Sequence, residues 1–164
     1  LLSSSFSIIE TFMSDDEHIY MHAAMEEAKR AALAGEVPIG AVLVNSATGE
    51  IVARASNRTI TNSDPTAHAE ILVIREQCAR VGAQRIPGHD LYVTLEPCAM
   101  CAAAIAFARI GKLVFAAQDP KGGGVLHGGK FYEQPTCHHK IMVEHGPMAE
   151  ESAQLLKEFF QARR

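Results

Sequence analysis

The sequence has no excess of basic residues: 15 Lys and Arg stand against 19 Asp and Glu, a formal net charge of −4 over 164 residues. That removes the electrostatic case for nonspecific binding along a nucleic-acid backbone, so any nucleic-acid partner must be met locally. Cysteine is also scarce. Cys78, Cys98, Cys101 and Cys137 lack the density and spacing of a secreted disulfide scaffold, and in a reducing compartment a close pair more often binds metal, so the expected localisation is cytoplasmic. The longest apolar run, around residues 102–108 and extending back no further than Cys98, is far short of the ~20 residues of a membrane-spanning helix, and no membrane segment is expected. No Lys or Arg precedes the apolar part of residues 1–12, which therefore do not read as a secretory signal. Met13 reads as a natural start, making residues 1–13 an N-terminal extension, cloning-derived or disordered, ahead of one domain over residues 14–164.

What is present is an ordinary globular balance, 48% hydrophobic and 21% charged, sufficient for one core. No repeat or Pro/Gly/Ser linker divides it. Ser14 and Asp15 are placed to cap a first helix carrying Ile19, Met21 and Met25 and stopping at Gly35. Residues 39–45 and 50–56 read as a hairpin around Thr48-Gly49. Asp64-Pro65-Thr66 is a turn signal before a second helix, whose apolar period (Ile71, Leu72, Ile74, Cys78, Val81) runs to Gly82. Residues 90–95 read as a strand, 98–109 as a third helix, 112–117 as a strand, 140–144 as a last strand and 148–164 as an amphipathic helix built on Leu155, Leu156, Phe159 and Phe160. Between them, the glycine-rich residues 120–135 read as a long loop, and such loops are usually functional or mobile. Strands alternating with helices after a hairpin predict an α/β fold, a mixed sheet with helices on both faces.

Cys98-Ala99-Met100-Cys101 opens the third helix, and residues three apart share a helical face, so both sulfurs can point at one ion. The helix N-terminus favours the thiolate form that metal binding requires. A Cys-x-x-Cys alone is equally a redox pair or core filler. His68-Ala69-Glu70 at the start of another helix supplies an imidazole and a carboxylate, and residues two apart diverge by about 200° around a helix, so His68 and Glu70 take different roles. His68, Cys98 and Cys101 are the expected ligands of one Zn²⁺ per chain, with a bound water or hydroxide in the fourth position, the plan of a catalytic rather than structural site. Glu70 is then the general base. Singly, His68 and Glu70 would be an ordinary histidine and a solvated helix residue; together, His-x-Glu with Pro-Cys-x-x-Cys is the signature of zinc deaminases.

Agreement is wider than the metal motif. Residues 36–44 (EVPIGAVLV), Asn57-Arg58, residues 64–70 (DPTAHAE), residues 91–101 (LYVTLEPCAMC) and residues 159–164 (FFQARR) resemble, in order and spacing, the TadA family of bacterial tRNA adenosine deaminases within the cytidine deaminase-like superfamily. The resemblance covers residues 17–164 and makes 14–164 a zinc-dependent deaminase domain. It implies a three-layer α/β/α sandwich around a five-stranded sheet, and a homodimer whose interface helps build the RNA site. It also places Asn57 and the Ala69 backbone against a flipped base and Asp119 near the nucleotide sugar. Read as plain residues, Asn57 serves a turn and Asp119 caps a loop. One region departs from the family: Pro120-Lys121-Gly122-Gly123-Gly124 replaces the usual loop, and His138 stands where an asparagine precedes His139. Cys137-His138-His139 reads as a second metal site or, since three consecutive residues wrap an ion poorly, as a polar loop anchor with one buried thiol.

The expected function is a zinc-dependent hydrolytic deaminase converting adenosine to inosine at the wobble position of a tRNA anticodon loop. The alternative is a deaminase of free guanine, cytosine or cytidine, which the negative charge favours; Lys121, Lys130, Lys140, Arg163 and Arg164 offer local phosphate contacts for RNA. An inactive zinc-stabilised interaction module is a third reading, against which the retained Glu70 stands.

Overall fold

The computed structural model describes residues 14–164, so the expected extension over residues 1–13 lies outside the described residues. Helix α1 spans Asp15–Leu33, with Ser14 accepting from the Glu17 N–H as its cap. Strands β1 (Gly40–Asn45) and β2 (Ile51–Ser56) follow, then α2 (Ala69–Val81), β3 (His89–Leu95), α3 (Ala99–Phe107), β4 (Lys112–Ala117), β5 (Met142–His145) and α4 (Ala149–Gln161). Helix α3 stops two residues short of the predicted 109 because Arg109 turns to φ +62°. A 3₁₀ turn at Phe131–Glu133, which the sequence reading did not anticipate, sits within the predicted loop.

The five strands lie in the order β2-β1-β3-β4-β5, with β1 antiparallel to both neighbours and β3, β4 and β5 parallel. Alternation along the strands divides the core in two. Ala41, Leu43, Leu91, Val93, Leu113 and Phe115 pack with Ala69 and Val73 of α2 and Ala102 and Ile105 of α3. Val42, Val44, Tyr92, Val114 and Ala116 face Met21, Ala23 and Ala24 of α1. Helix α4 joins that second layer, its buried Ser152 hydroxyl donating to the Thr94 carbonyl. Because both faces are covered, the central strands read as continuous apolar runs, and the expected three-layer α/β/α sandwich is what forms.

Register decides where a site can lie. Gly40 at the start of β1 pairs with Ser56 at the end of β2, Ala41 pairs with Val93 near the end of β3, and Leu95 pairs with Ala117 at the end of β4. Residues 57–68, 96–98 and 118–119 therefore leave the sheet at one edge, the carboxyl edge of the parallel strands where α/β proteins bind ligands. The loop predicted over residues 120–135 is part of a longer connection, residues 118–141, required because β5 runs parallel to β4 and a parallel neighbour is reached only by a crossover.

Phe115 is fully buried at the centre of β4. Phe115→Ala is expected to lower stability by about 3–5 kcal/mol, seen as a lower urea midpoint with an unchanged m-value.

Candidate metal centre and active site

Two helices begin at this edge with potential ligands as their caps. His68 precedes α2 and Cys98 precedes α3, both with extended backbone, and neither spends its side chain on capping its own helix. The turn before α2 is held by Asp64, whose Oδ1 accepts from the Thr66 N–H and hydroxyl at 2.8 and 2.7 Å. His68 Nδ1 lies 3.7 Å from Cys98 Sγ and 3.5 Å from Cys101 Sγ, and all three donor atoms fall within 4.8 Å of one another. A tetrahedral ion with Zn–S of about 2.3 Å and Zn–N of about 2.0–2.1 Å puts nitrogen and sulfur about 3.6 Å apart. The donor set thus fits one zinc ion per chain. Among the described residues it is the one cluster of three such ligands; Cys137, His138 and His139 do not form a second. Cys137 is half-buried, its Sγ donates to the His139 carbonyl, His139 bonds the Ile110 carbonyl at 2.6 Å, and His138 is exposed, so the trio anchors the loop.

Charge at the site is arranged for a cation. A hydrogen bond from Cys101, aided by one to His68, brings the Cys98 thiol down to about 4 despite burial. The bond to Cys98 and burial push Cys101 up, and the bond to Cys98 raises His68. Metal binding requires the two thiols deprotonated and the imidazole neutral, so it releases whatever protons these groups hold. Glu70 is buried beside this group. Burial drives its carboxyl up to about 7 against the lowering effects of its own backbone N–H, His68 and the Cys101 thiol. Its Oε2 is buried without a hydrogen-bond partner in the protein, and such an atom calls for a ligand or water.

The other expected residues surround this centre. Asn57 is buried and its Oδ1 accepts from the Ala69 N–H at 3.2 Å, so two residues named separately form one contact, which leaves the Asn57 amide N–H₂ as the free donor. Asp119 is half-buried, and its Oδ1 accepts from the Lys121 and Gly122 N–H groups at 3.2 and 2.9 Å, the loop-capping role read from the residue alone. A cleft of about 460 Å³ lined by Arg30, Glu36, Arg54, Asn57 and Arg58 reaches the site only through Asn57. Asp119 also edges a hollow of about 270 Å³ with Leu95, Leu156 and Phe160, so α4 borders the same rim.

Two residues went unread in the sequence. The buried Glu36 carboxylate accepts from the Ile60 and Thr61 N–H groups at 2.7 and 3.0 Å and holds the loop after Asn57. Glu96, next to Pro97-Cys98, is likewise buried; desolvation would raise its pKa, but bonds from His127 and from the Asp119, Leu126 and His127 N–H groups hold it below the usual carboxylate range. A charge directly between an apolar strand and Pro-Cys was the available signal.

Residues 13–117 match the family described as the cytidine and deoxycytidylate deaminase zinc-binding region. The chain is 54% identical over 152 residues to the tRNA-specific adenosine deaminase of Agrobacterium fabrum, covering 93% of this chain and 98% of that one. The chain belongs to the tRNA-specific adenosine deaminase family of zinc-dependent deaminases. The Bacillus subtilis member is 47% identical over 93% of this chain and 92% of its own. A solved structure from work on A-to-I editing by tRNA:A34 deaminases at the wobble position of transfer RNA superposes with a TM-score of 0.82 at 55% identity, covering 85% of this chain and 99% of that one. No helix among the described residues is long and apolar enough to cross a membrane.

Cys101→Ala is expected to reduce bound zinc from one per chain towards none, while Cys78→Ala and Cys137→Ala keep it. Metal analysis of the purified variants by mass spectrometry checks this.

Proposed function

We propose that the protein hydrolytically deaminates adenosine to inosine at the wobble position of a tRNA anticodon. The observation that carries this is the degree of the similarity. The Agrobacterium tRNA-specific adenosine deaminase is 54% identical over 93% of the chain, so the likeness runs beyond the zinc-binding region, which ends at residue 117, into residues 118–164, of which Asp119, Leu156 and Phe160 line the hollow beside the site.

His68, Cys98 and Cys101 would hold one zinc ion, which would supply Lewis acidity to a bound water and bring its pKa towards neutrality. Glu70 takes one proton from the water as its oxygen adds to adenine carbon 6 and passes it to ring nitrogen N1; it then carries the remaining hydroxyl proton to the exocyclic amine as the carbon 6–nitrogen bond breaks, so that the carbon 6 carbonyl forms and ammonia leaves. A buried carboxyl with a raised pKa suits a group that must both accept and return a proton. Asn57 offers its amide donor to the unstacked base, with the Ala69 backbone beside it, and Asp119 lies at the sugar side. Lys121, Lys130, Lys140, Arg163 and Arg164 give local phosphate contacts that the net charge of −4 does not. The same reading takes the enzyme to be a homodimer, which rests on the family resemblance and is checked by sedimentation, and to be cytoplasmic, which rests on the sparse, unpaired cysteines.

Glu70→Gln is expected to keep one zinc per chain while ammonia release falls at least about 100-fold. The assay offers an anticodon stem-loop with adenosine at the wobble position alongside free guanine, cytosine and cytidine, and reads inosine and ammonia. Wild-type activity confined to the free compounds overturns the RNA reading, and an active Glu70→Gln enzyme overturns the role of Glu70.

A further inference from the structure

Glu96 is a buried carboxylate that directly follows strand β3 and stands two residues before the ligand Cys98. Its main chain stays in the sheet, donating to the Ala117 carbonyl at 2.8 Å. Its side chain reaches into the crossover. Oε1 accepts from the Asp119 N–H at 3.2 Å and from His127 Nδ1 at 2.8 Å, and Oε2 accepts from the N–H groups of Val125, Leu126 and His127 at 3.3, 3.1 and 3.2 Å. Five donors from residues 119–127 thus wrap one carboxylate. Next to it the Gly124 N–H donates to the Pro97 carbonyl at 2.8 Å. The approach is so close that a Cβ on Gly123 would lie 2.1 Å from Glu96 Oε2, and one on Gly124 would lie 2.6 Å from the Ala99 nitrogen.

We infer that Glu96 is a positioning residue that clamps the loop 119–127 onto the metal-bearing turn and thereby sets where Asp119 stands relative to the zinc ligands. Glu96 touches no metal ligand side chain and acts through the loop it gathers. An ionised carboxylate is the group the cradle demands, because every neighbour is a donor. Glutamine at this position would turn its N–H₂ group either towards the Asp119 N–H or towards the N–H groups of Val125, Leu126 and His127, leaving at least one buried backbone N–H unpaired whichever way its amide lay. The clamp rests on the proposed function only in the consequence for RNA; its effect on the loop does not.

The test compares wild type with Glu96→Gln, and with His127→Ala, which removes one of the five donors at a part-exposed side chain and spares the fold if Glu96→Gln does not accumulate. Hydrogen exchange reads the loop without any substrate. Exchange at the amides of 119 and 125–127 is expected to rise at least tenfold in Glu96→Gln and about threefold in His127→Ala, with α2 and α3 unchanged and one zinc per chain retained. With the anticodon stem-loop, KM is expected to rise about tenfold and kcat to stay within about threefold. Unchanged exchange overturns the clamp, as does loss of zinc with a collapse of kcat, which would make Glu96 a support of the metal turn instead. Unchanged KM beside raised exchange overturns the positioning of substrate. A wild type inactive on the stem-loop fails the proposed function alone, and the exchange data still decide the clamp.

Discussion

Two helix starts have to point at one place for this site to exist. His68 and Cys98 are both cap residues, and the passage from β3 through α3 to the parallel β4 puts the start of α3 beside the start of α2 at the carboxyl edge of the sheet. Each start carries the partial positive charge of aligned peptide dipoles and unpaired N–H groups. Their convergence favours anions, which is why thiolates are tolerated here and why a carboxylate as buried as Glu70 has a place at all. The same convergence leaves a cation as the natural centre once the thiolates are present. Removing either helix start leaves a cysteine pair or a lone histidine, neither of which holds a metal with an open position.

Around that centre, polar satisfaction is delegated to two buried glutamates. Glu36 gathers the N–H groups of Ile60 and Thr61 after Asn57, and Glu96 gathers those of residues 119–127. Irregular loops carry unpaired backbone groups that cannot be buried without partners. A carboxylate offers several acceptor sites in one compact group, so one residue can satisfy a whole turn. The loops on both sides of the metal are therefore held as rigidly as secondary structure without being secondary structure. Asn57 shows the same economy: its side-chain oxygen fixes the Ala69 N–H across the loop and leaves the amide N–H₂ free.

The layers, the four helices and the metal set were legible in the sequence because each is encoded locally. Unbroken apolar runs at residues 41–44 and 91–93 mark strands covered on both faces, Ser14 and Gly82 mark helix ends, and His68-x-Glu70 with Cys98-x-x-Cys101 marks the metal set, although His68 and Cys98 stand as extended caps just before their helices rather than on them. The crossover was not legible beyond being a loop. Glycines at 122–124 carry no periodicity, and what they meet is set by distant chain: a Cβ on Gly123 would fall on the Glu96 carboxylate, nearly thirty residues away, and one on Gly124 would fall on the Ala99 backbone. The direction of β5 was hidden for the same reason: a strand of four half-exposed residues has no pattern that distinguishes parallel from antiparallel. Asp119 was read both as a loop cap and, through the family, as a sugar contact; the cap is the contact its side chain makes within the protein.

Sheet order bears on selectivity. An antiparallel β5 would be reached by a short hairpin at the edge where β4 ends, with no chain left over to frame the site. Parallel pairing of β4 and β5 instead forces residues 118–141 to travel back across the molecule, and Glu96 holds the first part of that path against the turn that carries Cys98. The metal ligands are common to deaminases of unlike substrates, so discrimination has to reside in what surrounds them. In this chain the surround is a by-product of topology made rigid by one buried charge. Changes in substrate preference within such a scaffold should therefore concentrate in the crossover and in the residues that grip it, while the zinc set and Glu70 stay as they are.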